Sequence, residues 1–495
     1  MPPPSVQEKM CCLYQNKWGL YSAGIVSLLS LLTGMGLFIG SHPGFLLYLP
    51  FSFLILVYLL VSYFIGLFGK PFDFKRHLEI NNKHLKEAKT YTVDVFLPCC
   101  GEPLEVLQDT YRAVANLRSA WPVKVYVLDD GGDKDVEALA RNHSFDYICR
   151  PNRGEHKKAG NIRYGFTKSR GDFICIFDAD FCPRPEMVEE LLPYFFYDKK
   201  IAIVQTPQYF SIEPGQTKVQ KGAAYIQELF YRLIQVNRNR WGASICVGTN
   251  AVYRRRALEP FGGTALIDYS EDLHTGFMLI KAGWKVEYVA INFAKGLCPE
   301  NLQSFFVQQY RWCLGSFTLF LSRDFWTAKI GGMKRLCYLS GMLYYMATAL
   351  GVFFTPLPGI AVLWFMPDNV HWYNLIFSIP SLIYGTVALA LWSKAPFGMY
   401  ALTMRNASYW AYFFAIVDKC RGDLIPWVPT GAKVSYTKRY FFALYTLIFW
   451  SNLVFLAQVI GCFMHMKGPY DYNFYPMLAL ATFYYWVFWQ TVRDV

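Results

Sequence analysis

Apolar residues collect at the two ends of the 495-residue chain, in stretches long enough to cross a bilayer. A membrane-spanning helix needs roughly 20 mostly apolar residues. The qualifying stretches are residues 20–39, 45–68, 337–354, 373–392, 441–462 and 474–488. The pattern therefore predicts about six transmembrane spans. A further apolar run at 356–366 is typical of a reentrant or interfacial segment.

The positions of Lys and Arg predict how these spans are oriented, because basic loops stay on the cytosolic side. The loops 41–44 and 367–372 contain neither residue, and the loop 463–472 contains only Lys467. The basic residues concentrate on the opposite side, above all in the loop 393–440. We therefore expect that loop, both termini and the segment between the apolar regions to be cytosolic.

The segment 90–300 alternates short apolar runs with helical patterns. Predicted strands are 93–97, 123–128, one near Tyr147, and 173–177, and predicted helices are 103–117, 133–142 and 157–168. Such alternation predicts an α/β domain with a mostly parallel sheet and helices on both faces. Ligands of such sheets bind beyond the carboxyl ends of the strands.

Composition agrees with a chain that faces lipid over much of its surface. Hydrophobic residues make up 54% and charged residues only 17%, whereas soluble domains carry about 25% charged residues. The net charge of +12 lies beside the spans, where it favours anionic headgroups, and we expect no nucleic-acid partner. The 13 cysteines show no CxxC, which indicates free thiols.

Two predicted strands end in carboxylates. Asp178 and Asp180 follow the strand 173–177 as a DxD pair, which can hold Mg²⁺ or Mn²⁺ against a nucleotide diphosphate. Isolated DxD triplets are common on surfaces, so the position after a strand carries this prediction. Asp129 ends the strand 123–128 and either contacts the nucleoside of a donor or organises the turn that follows.

Two later segments carry further candidate chemistry. Ser270-Glu271-Asp272 precedes a helix, with Asp272 as a candidate general base and Ser270 as a candidate N-cap. Gln308, Arg311 and Trp312 share one face of a predicted helix at 300–320. Arginine can hold a diphosphate bidentately, and tryptophan can stack on a sugar. The alternative is an interfacial helix anchored by Arg and Trp.

Taken in chain order, these residues match the signature D, DxD, [TS]ED, QxxRW. Over roughly residues 90–440 the chain therefore resembles the processive, membrane-integrated family 2 glycosyltransferases, which include cellulose synthases and hyaluronan synthases. The resemblance implies a cytosolic GT-A-type α/β domain inserted between transmembrane helices. It also implies an inverting hexosyltransferase that moves a sugar from a UDP-sugar onto a growing polysaccharide.

Shorter segments extend the resemblance. Residues 156–161 (HKKAGN) are similar to the family's HxKAGN segment, and residues 246–250 (CVGTN) are similar to its loop near the acceptor. Residues 427–433 (WVPTGAK) resemble its FxVTxK gating loop, with Trp for Phe, Pro for Val and the Lys one residue late. The gating loop would close the loaded site through Trp427, Thr430 and Lys433.

The resemblance also implies a role for each site residue. Asp272 would be the catalytic base, and Asp178 and Asp180 would hold Mg²⁺ or Mn²⁺. The implied donor-binding residues are Asp129, Lys158, Asp178, Gln308 and Arg311, and the implied acceptor-binding residues are Trp312, Glu271, Cys246 and Gly248. The implied partners are the UDP-sugar, the growing glycan and the lipid bilayer, with the protein in the plasma membrane.

The organisation expected from these patterns has six parts. They are residues 1–70 with two transmembrane helices, the GT-A domain 90–300, the interfacial helices 300–334, the transmembrane helices 335–392, the gating-loop region 393–440 and the transmembrane helices 441–495. This compact plan lacks the cyclic-di-GMP-binding domain of bacterial cellulose synthases. It is similar to hyaluronan synthases and fungal cellulose-synthase-like proteins, which would imply a cell-surface or cell-wall polysaccharide and a role in hyphal growth.

Two other functions remain open at this point. A non-processive membrane transferase that makes a glycolipid would use similar carboxylates, although the gating-loop-like segment and the four later spans favour polymer synthesis. A catalytically inactive relative that acts as a glycan channel or scaffold would not need the signature acids, all of which are present.

Overall fold

Ten strands form two sheets in the computed structural model, which describes residues 1–13, 17–85, 91–210, 212–393, 399–425, 438–468 and 471–493. The strands are β1 (Val93–Cys99), β2 (Val123–Asp129), β3 (Asp146–Ile148), β4 (Phe173–Ile176), β5 (Phe181–Pro183), β6 (Ile201–Gln205), β7 (Tyr209–Phe210), β8 (Ala251–Arg254), β9 (Lys285–Tyr288) and β10 (Ala294–Gly296). The large sheet has the order β3-β2-β1-β4-β8-β6-β9, and the small one has the order β5-β10-β7.

Only β8 runs against the other strands of the large sheet. All seven residues of β1 are buried, as expected for a parallel strand covered on both faces. They include Asp94, whose carboxylate oxygen lies 3.0 Å from a guanidinium nitrogen of Arg255. The predicted α/β fold with a mostly parallel sheet is confirmed.

Helices cover both faces of the sheet. In and around the α/β domain they are Val6–Met10, Phe74–His84, Leu104–Ala115, Lys134–Asn142, Lys157–Lys168, Met187–Leu191, Pro193–Tyr197, Lys218–Leu229, Gln235–Asn239, Arg255–Leu258, Glu271–Lys281, Leu302–Leu321 and Arg323–Thr327, with a π-helix at Phe230–Ile234 and a 3₁₀-helix at Glu259–Phe261. The helix Leu104–Ala115 buries Leu107, Tyr111 and Val114, a spacing that keeps all three on one helical face.

The apolar helices lie outside this domain. They are Lys17–Ser41, Leu49–Leu67, Gly332–Phe354, Leu357–Phe365, Ile379–Ile383, Leu389–Ser393, Met399–Arg421, Lys438–His465 and Tyr475–Val492, with 3₁₀-helices at Pro43–Tyr48, Pro367–Asn369 and Trp372–Phe377 and a π-helix at Tyr384–Ala388. Within the described ranges, four stretches are long and apolar enough to cross a membrane: Lys17–Ser41, Pro43–Leu67, Gly332–Phe365 and Lys438–His465. They indicate an integral membrane protein.

The prediction of about six spans is not confirmed. The stretch 373–392 is divided among a 3₁₀-helix, a π-helix and two short α-helices. Its continuous apolar part, Ile379–Trp392, is shorter than the four candidate spans. The stretch 474–488 lies in an 18-residue helix that is not among the four candidates. The apolar run 356–366 does not form a separate segment, because it extends the candidate that begins at Gly332.

The core couples the α/β domain to the apolar helices. Alternate residues of β1 enter opposite layers, with Val95 on one side and Phe96 on the other. The layer that holds Phe96 also contains Ile65 and Met342, which lie on two of the candidate spans. The helix Leu302–Leu321 packs in turn against Met399–Arg421 through a third apolar cluster.

Candidate active site

The carboxyl ends of β1 and β4 open into a cleft of about 1220 Å³, the solvent at its mouth included. Eight residues proposed from the sequence line it together: Lys158, Asp178, Asp180, Glu271, Asp272, Gln308, Arg311 and Trp312. These residues come from four separate segments of the chain. The signature residues therefore meet in one cleft, at the carboxyl ends of the strands and against the helix Leu302–Leu321.

Lys158 lies at the centre of the acidic residues. Its ammonium group donates to Asp178 Oδ1 and, at 3.3 Å, to the carbonyl oxygen of Gly248. It also lies 3.6 Å from Glu271 Oε1. Burial acts to lower the pKa of Lys158, but attraction to Asp178 and Glu271 prevails and holds that pKa above its ordinary value. The lysine therefore keeps its positive charge in the cleft.

The DxD acids follow β4 at the rim of the sheet. The backbone N–H of Asp178 donates to Thr249 Oγ1 at 2.8 Å, which ties the acid to the loop before β8. Burial, followed by repulsion from Asp178 and Glu102, raises the pKa of Asp180 to about 7. Burial also raises the pKa of Glu102 to about 7, and Asp178 adds to that effect.

These acids fit a divalent cation. Their donors are carboxylate oxygens, which hard cations prefer, and a cation would relieve the repulsion that raises the pKa of Asp180. No three His, Cys, Asp or Glu side chains in the described ranges form a complete metal-binding group. Asp178 and Asp180 would therefore supply part of the coordination, as in sites where a substrate phosphate and water complete it.

Asp272 lies in the first turn of the helix Glu271–Lys281. Burial, then repulsion from Glu271, raises the pKa of Asp272 to about 7, although Lys158 and the N–H of Leu273 act against the rise. A carboxylate with a pKa near the working pH suits a general base. Ser270 occupies the N-cap position of this helix, as predicted, but its hydroxyl makes no capping hydrogen bond and donates instead to the carbonyl oxygen of Arg311 at 3.3 Å.

Backbone strain concentrates around the cleft. Of the five non-glycine residues with positive φ in the described ranges, four flank it: His156, Lys157, Asn250 and Ser270. Residues other than glycine seldom adopt this region, and such outliers cluster at functional sites. Three of these residues, His156, Lys157 and Ser270, lie at the starts of the helices that carry Lys158 and Asp272.

The helix Leu302–Leu321 carries the QxxRW residues. It begins after Asn301, whose side chain accepts the N–H of Ser304 at 2.9 Å. Burial lowers the pKa of Arg311, with attraction to Glu271 and Asp178 opposing the change. Among the described residues, the buried Oε1 of Gln308 has no hydrogen-bond donor. This helix therefore brings an arginine and an unused acceptor to the cleft.

Three of the proposed site residues, Asp129, Cys246 and Gly248, are not among the residues that line the cleft. The carboxylate of Asp129 accepts the N–H groups of Gly131 and Asp133 and the hydroxyl of Tyr147, each at 2.8 Å, so the turn-organising interpretation describes its contacts. Its contact with a nucleoside stays a prediction.

Cys246 is buried, with its thiol 3.2 Å from Tyr253 Oη, and does not line the cleft. Gly248 contributes its carbonyl oxygen to Lys158. The gating-loop residues Trp427, Thr430 and Lys433 lie outside the described residues.

Several residues of the site were not proposed from the sequence. Glu102 lines the cleft after β1, and the strand-end rule applied to that strand would have found it. Asn161 belongs to the HKKAGN segment matched from the sequence, where only Lys158 was given a role; it donates to the carbonyl oxygen of Leu128 at 2.6 Å, while its buried Oδ1 has no donor among the described residues. No local pattern pointed to Arg150, which pairs with Asp130 through Nε at 2.5 Å.

Family models match consecutive parts of the chain. The glycosyl transferase family 2 model matches residues 94–262, and the cellulose synthase model matches residues 263–411. The first contains the DxD acids, and the second contains Asp272 and the QxxRW residues. Together the two matches cover the α/β domain and the helices that complete the cleft.

Curated relatives agree with these matches. A cellulose synthase catalytic subunit (UDP-forming) of Xanthomonas axonopodis is 34% identical over 261 residues, which are 51% of this chain and 35% of the relative. Another, from Komagataeibacter xylinus, is 32% identical over 313 residues, which are 61% of this chain and 42% of the relative. The chain thus spans well under half the length of these relatives.

A solved structure shares the fold. A mannosyltransferase from Pyrobaculum calidifontis, in complex with GDP-Man and Mn²⁺, superposes with a TM-score of 0.50 at 14% identity. The match covers 70% of this chain and 97% of the mannosyltransferase. At this identity the likeness shows the fold, which is GT-A. With the GT-A fold, these matches identify residues 94–262 as a glycosyl transferase family 2 domain, followed at residues 263–411 by a segment similar to cellulose synthase.

Proposed function

We propose that this protein is a membrane-embedded inverting hexosyltransferase that polymerises sugar from a UDP-sugar into a cell-surface polysaccharide. The observation that carries the proposal is the convergence of Asp272, Lys158 and Arg311 with the DxD acids in one cleft. A base for the acceptor and cations for the leaving diphosphate are the groups that such a transfer requires.

The unused hydrogen-bond acceptors of the cleft support a sugar as the substrate. Asn161 Oδ1 and Gln308 Oε1 are buried and have no donor within the described ranges. A buried acceptor left without a donor carries an energetic penalty of about 1–3 kcal/mol. Sugar hydroxyl groups would supply the missing donors and would be held in fixed positions.

The reaction would proceed by a single displacement. Asp272 would accept the proton of the acceptor hydroxyl while that oxygen attacks the anomeric carbon, and the bond from that carbon to the UDP oxygen would break. Lys158 and Arg311 would attract the negative charge that develops on the departing diphosphate. Trp312 would hold the terminal sugar of the acceptor against the attacking position.

A divalent cation, Mg²⁺ or Mn²⁺, would be held by Asp178 and Asp180. When bound, the cation would supply positive charge that stabilises the departing diphosphate. Lys158 already contacts Asp178, so its ammonium group would lie beside both the cation and the donor. Glu102, a third acid of the same cleft, would face the donor from the end of β1.

The membrane helices support polymer synthesis with export. The helix that carries Arg311 and Trp312 packs against Met399–Arg421, beside the candidate span Lys438–His465. A product that leaves the cleft past Trp312 would therefore meet the membrane region directly. We propose that the catalytic domain faces the cytosol and that the glycan leaves across the plasma membrane. The predicted roles in the cell wall and in hyphal growth stay predictions.

The purified full chain in detergent tests the proposal with a panel of UDP-sugars, each supplied with Mn²⁺ or Mg²⁺. We expect metal-dependent release of UDP from one donor. Release from none of the UDP-sugars, with binding of UDP retained, would contradict the proposed activity and favour an inactive channel or scaffold. Transfer to a lipid in place of a glycan would favour the glycolipid alternative.

A further inference from the structure

A buried acid behind the cleft connects three helices. Asp418, near the end of Met399–Arg421, is completely buried. Its Oδ2 accepts the hydroxyl of Tyr310 at 3.1 Å and Nε of Arg439 at 3.1 Å, and its Oδ1 accepts a second nitrogen of Arg439. A buried charge is tolerated only when it is paired and hydrogen-bonded, so this arrangement fixes all three side chains.

Arg439 holds the other side of the pair. It lies in the first turn of Lys438–His465, with its guanidinium carbon 4.9 Å from the ring centre of Phe414 and 5.2 Å from that of Phe442. The planar guanidinium thus lies against two aromatic rings while it contacts the carboxylate in a forked manner, the geometry that distinguishes arginine from lysine. The ion pair therefore joins Met399–Arg421 to Lys438–His465.

Tyr310, the third side chain of this group, connects the ion pair to the active site. Tyr310 immediately precedes Arg311 and Trp312 on their helix, and its hydroxyl also accepts the N–H of Ile425 at 3.4 Å. The carbonyl oxygen of Ile425 accepts the hydroxyl of Tyr269 at 3.0 Å. Tyr269 lines the cleft next to Ser270-Glu271-Asp272. One chain of hydrogen bonds therefore runs from the buried acid to both sides of the cleft.

A second contact holds the same helix at Gln309, the residue before Tyr310. The hydroxyl of Tyr412 donates to Gln309 Oε1 at 2.8 Å, and Tyr412 lies on the helix that also carries Asp418. Two successive residues of the QxxRW helix, Gln309 and Tyr310, are thus fixed to Met399–Arg421. The rotation of the helix about its axis follows from these two contacts, and it determines where Arg311 and Trp312 point.

We propose that Asp418 is a positioning residue, which orients Arg311 and Trp312 through Tyr310 while Arg439 holds the acid in place. The inference rests on the proposed function, because it assigns these two residues to the donor diphosphate and the acceptor sugar. The inference adds that the positions of Arg311 and Trp312 depend on the Asp418–Arg439 ion pair between two membrane-associated helices. A change in how these helices pack would therefore alter the site.

Tyr310→Phe is the first variant, because it removes the hydroxyl and leaves the Asp418–Arg439 pair intact. The matched control is Tyr338→Phe, since Tyr338 is also buried and its hydroxyl has no hydrogen-bond partner among the described residues. The first readout is the affinity for UDP with Mn²⁺, measured by calorimetry on the full chain in detergent, which requires no turnover. The second is the ratio of donor hydrolysis to sugar transfer.

We expect Tyr310→Phe to weaken UDP binding by about fivefold to tenfold, the loss typical of one displaced hydrogen bond, and to raise hydrolysis relative to transfer. Asp418→Asn should have a larger effect in the same direction, and Tyr338→Phe should change neither readout. If Tyr310→Phe lowers only the melting temperature and keeps the affinity and the ratio, the acid is merely structural and the proposal is wrong.

The design separates this inference from the proposed function. Wild-type protein that binds UDP without turning over any donor would contradict the proposed activity, while the binding comparison among the variants would still decide the role of Asp418. Wild-type protein that binds no UDP would contradict both. If Asp418→Asn fails to fold, Tyr310→Phe alone decides the outcome, because it keeps the buried ion pair.

Discussion

Gly248 and Asp272 approach each other so closely that no side chain fits between them. A β-carbon added to Gly248 would lie 2.9 Å from Cβ and 3.0 Å from Oδ2 of Asp272, at a backbone φ of +74°. The carbonyl oxygen of the same glycine accepts from Lys158. The loop before β8 thus limits the positions that the carboxylate of Asp272 and the ammonium group of Lys158 can occupy.

Gly248→Ala should therefore displace the carboxylate of Asp272. We expect kcat to fall about 100-fold, the size of loss that small misplacements cause, with a smaller change in KM for the UDP-sugar. The matched control is Gly283→Ala, which has a φ of +90° but no neighbouring atom within 4 Å of the added β-carbon. Equal losses in both variants would assign the effect to backbone strain and contradict the proposed contact.

The rate should depend on pH through Asp272. Its pKa of about 7 means that the base is increasingly protonated, and therefore inactive, as the pH falls below 7. At saturating metal, log kcat should fall with a slope of about one per pH unit on the acid side. A profile that is flat from pH 8 down to pH 5 would show that Asp272 is not the base.

Metal affinity should also depend on pH, for a separate reason. Asp180 has a pKa of about 7, so at lower pH a proton competes with the cation for its carboxylate. We expect Mn²⁺ binding, followed by electron paramagnetic resonance, to weaken by about fivefold between pH 7 and pH 6. Asp180→Asn should bind Mn²⁺ weakly at both values. Binding that is independent of pH would exclude Asp180 as a ligand.

Arg150 should be necessary for the stability of the loop before Lys158. It contacts both oxygens of Asp130 and donates to the carbonyl oxygens of Glu155 and Lys157. Breaking a buried pair of this kind costs about 3–5 kcal/mol, so Arg150→Met should markedly lower the melting temperature.

The control for that variant is Lys124→Met. Lys124 also pairs with a carboxylate, that of Asp146 at 2.7 Å, but both side chains are at least half exposed. Exposed pairs contribute little to stability, so this variant should unfold within a few degrees of the wild type. If the two variants lost similar stability, the buried pair would not have the importance assigned to it.

Much of the α/β domain could be predicted because its information is local. The run at 93–97 is apolar at every position except Asp94, as expected of a strand buried on both faces, and the DxD pair directly follows the strand 173–177. The metal and base candidates were therefore available from the sequence. The span predicted at 373–392 was less secure, because hydropathy measures composition and not whether helical hydrogen bonds continue through Pro380 and the 3₁₀ and π segments around it.

The missed parts of the site depend on contacts between distant segments. Asp418 and Tyr310 are separated by 108 residues, and nothing in the sequence around either one indicates that they meet. The role of Asp129 was left open for a related reason, since its hydroxyl donor Tyr147 comes from a neighbouring strand. Such pairs become visible only when helices and strands have been placed.

The most direct test of the proposed function is incorporation of labelled sugar by the purified full chain. The wild-type protein is incubated with Mn²⁺ and the labelled UDP-sugar that releases UDP fastest, and Asp272→Asn is compared under the same conditions. We predict that the wild type forms a polymer that a matching glycosidase degrades, and that Asp272→Asn keeps its affinity for UDP but forms none. Equal incorporation by the two proteins would contradict the assigned base and the mechanism built on it.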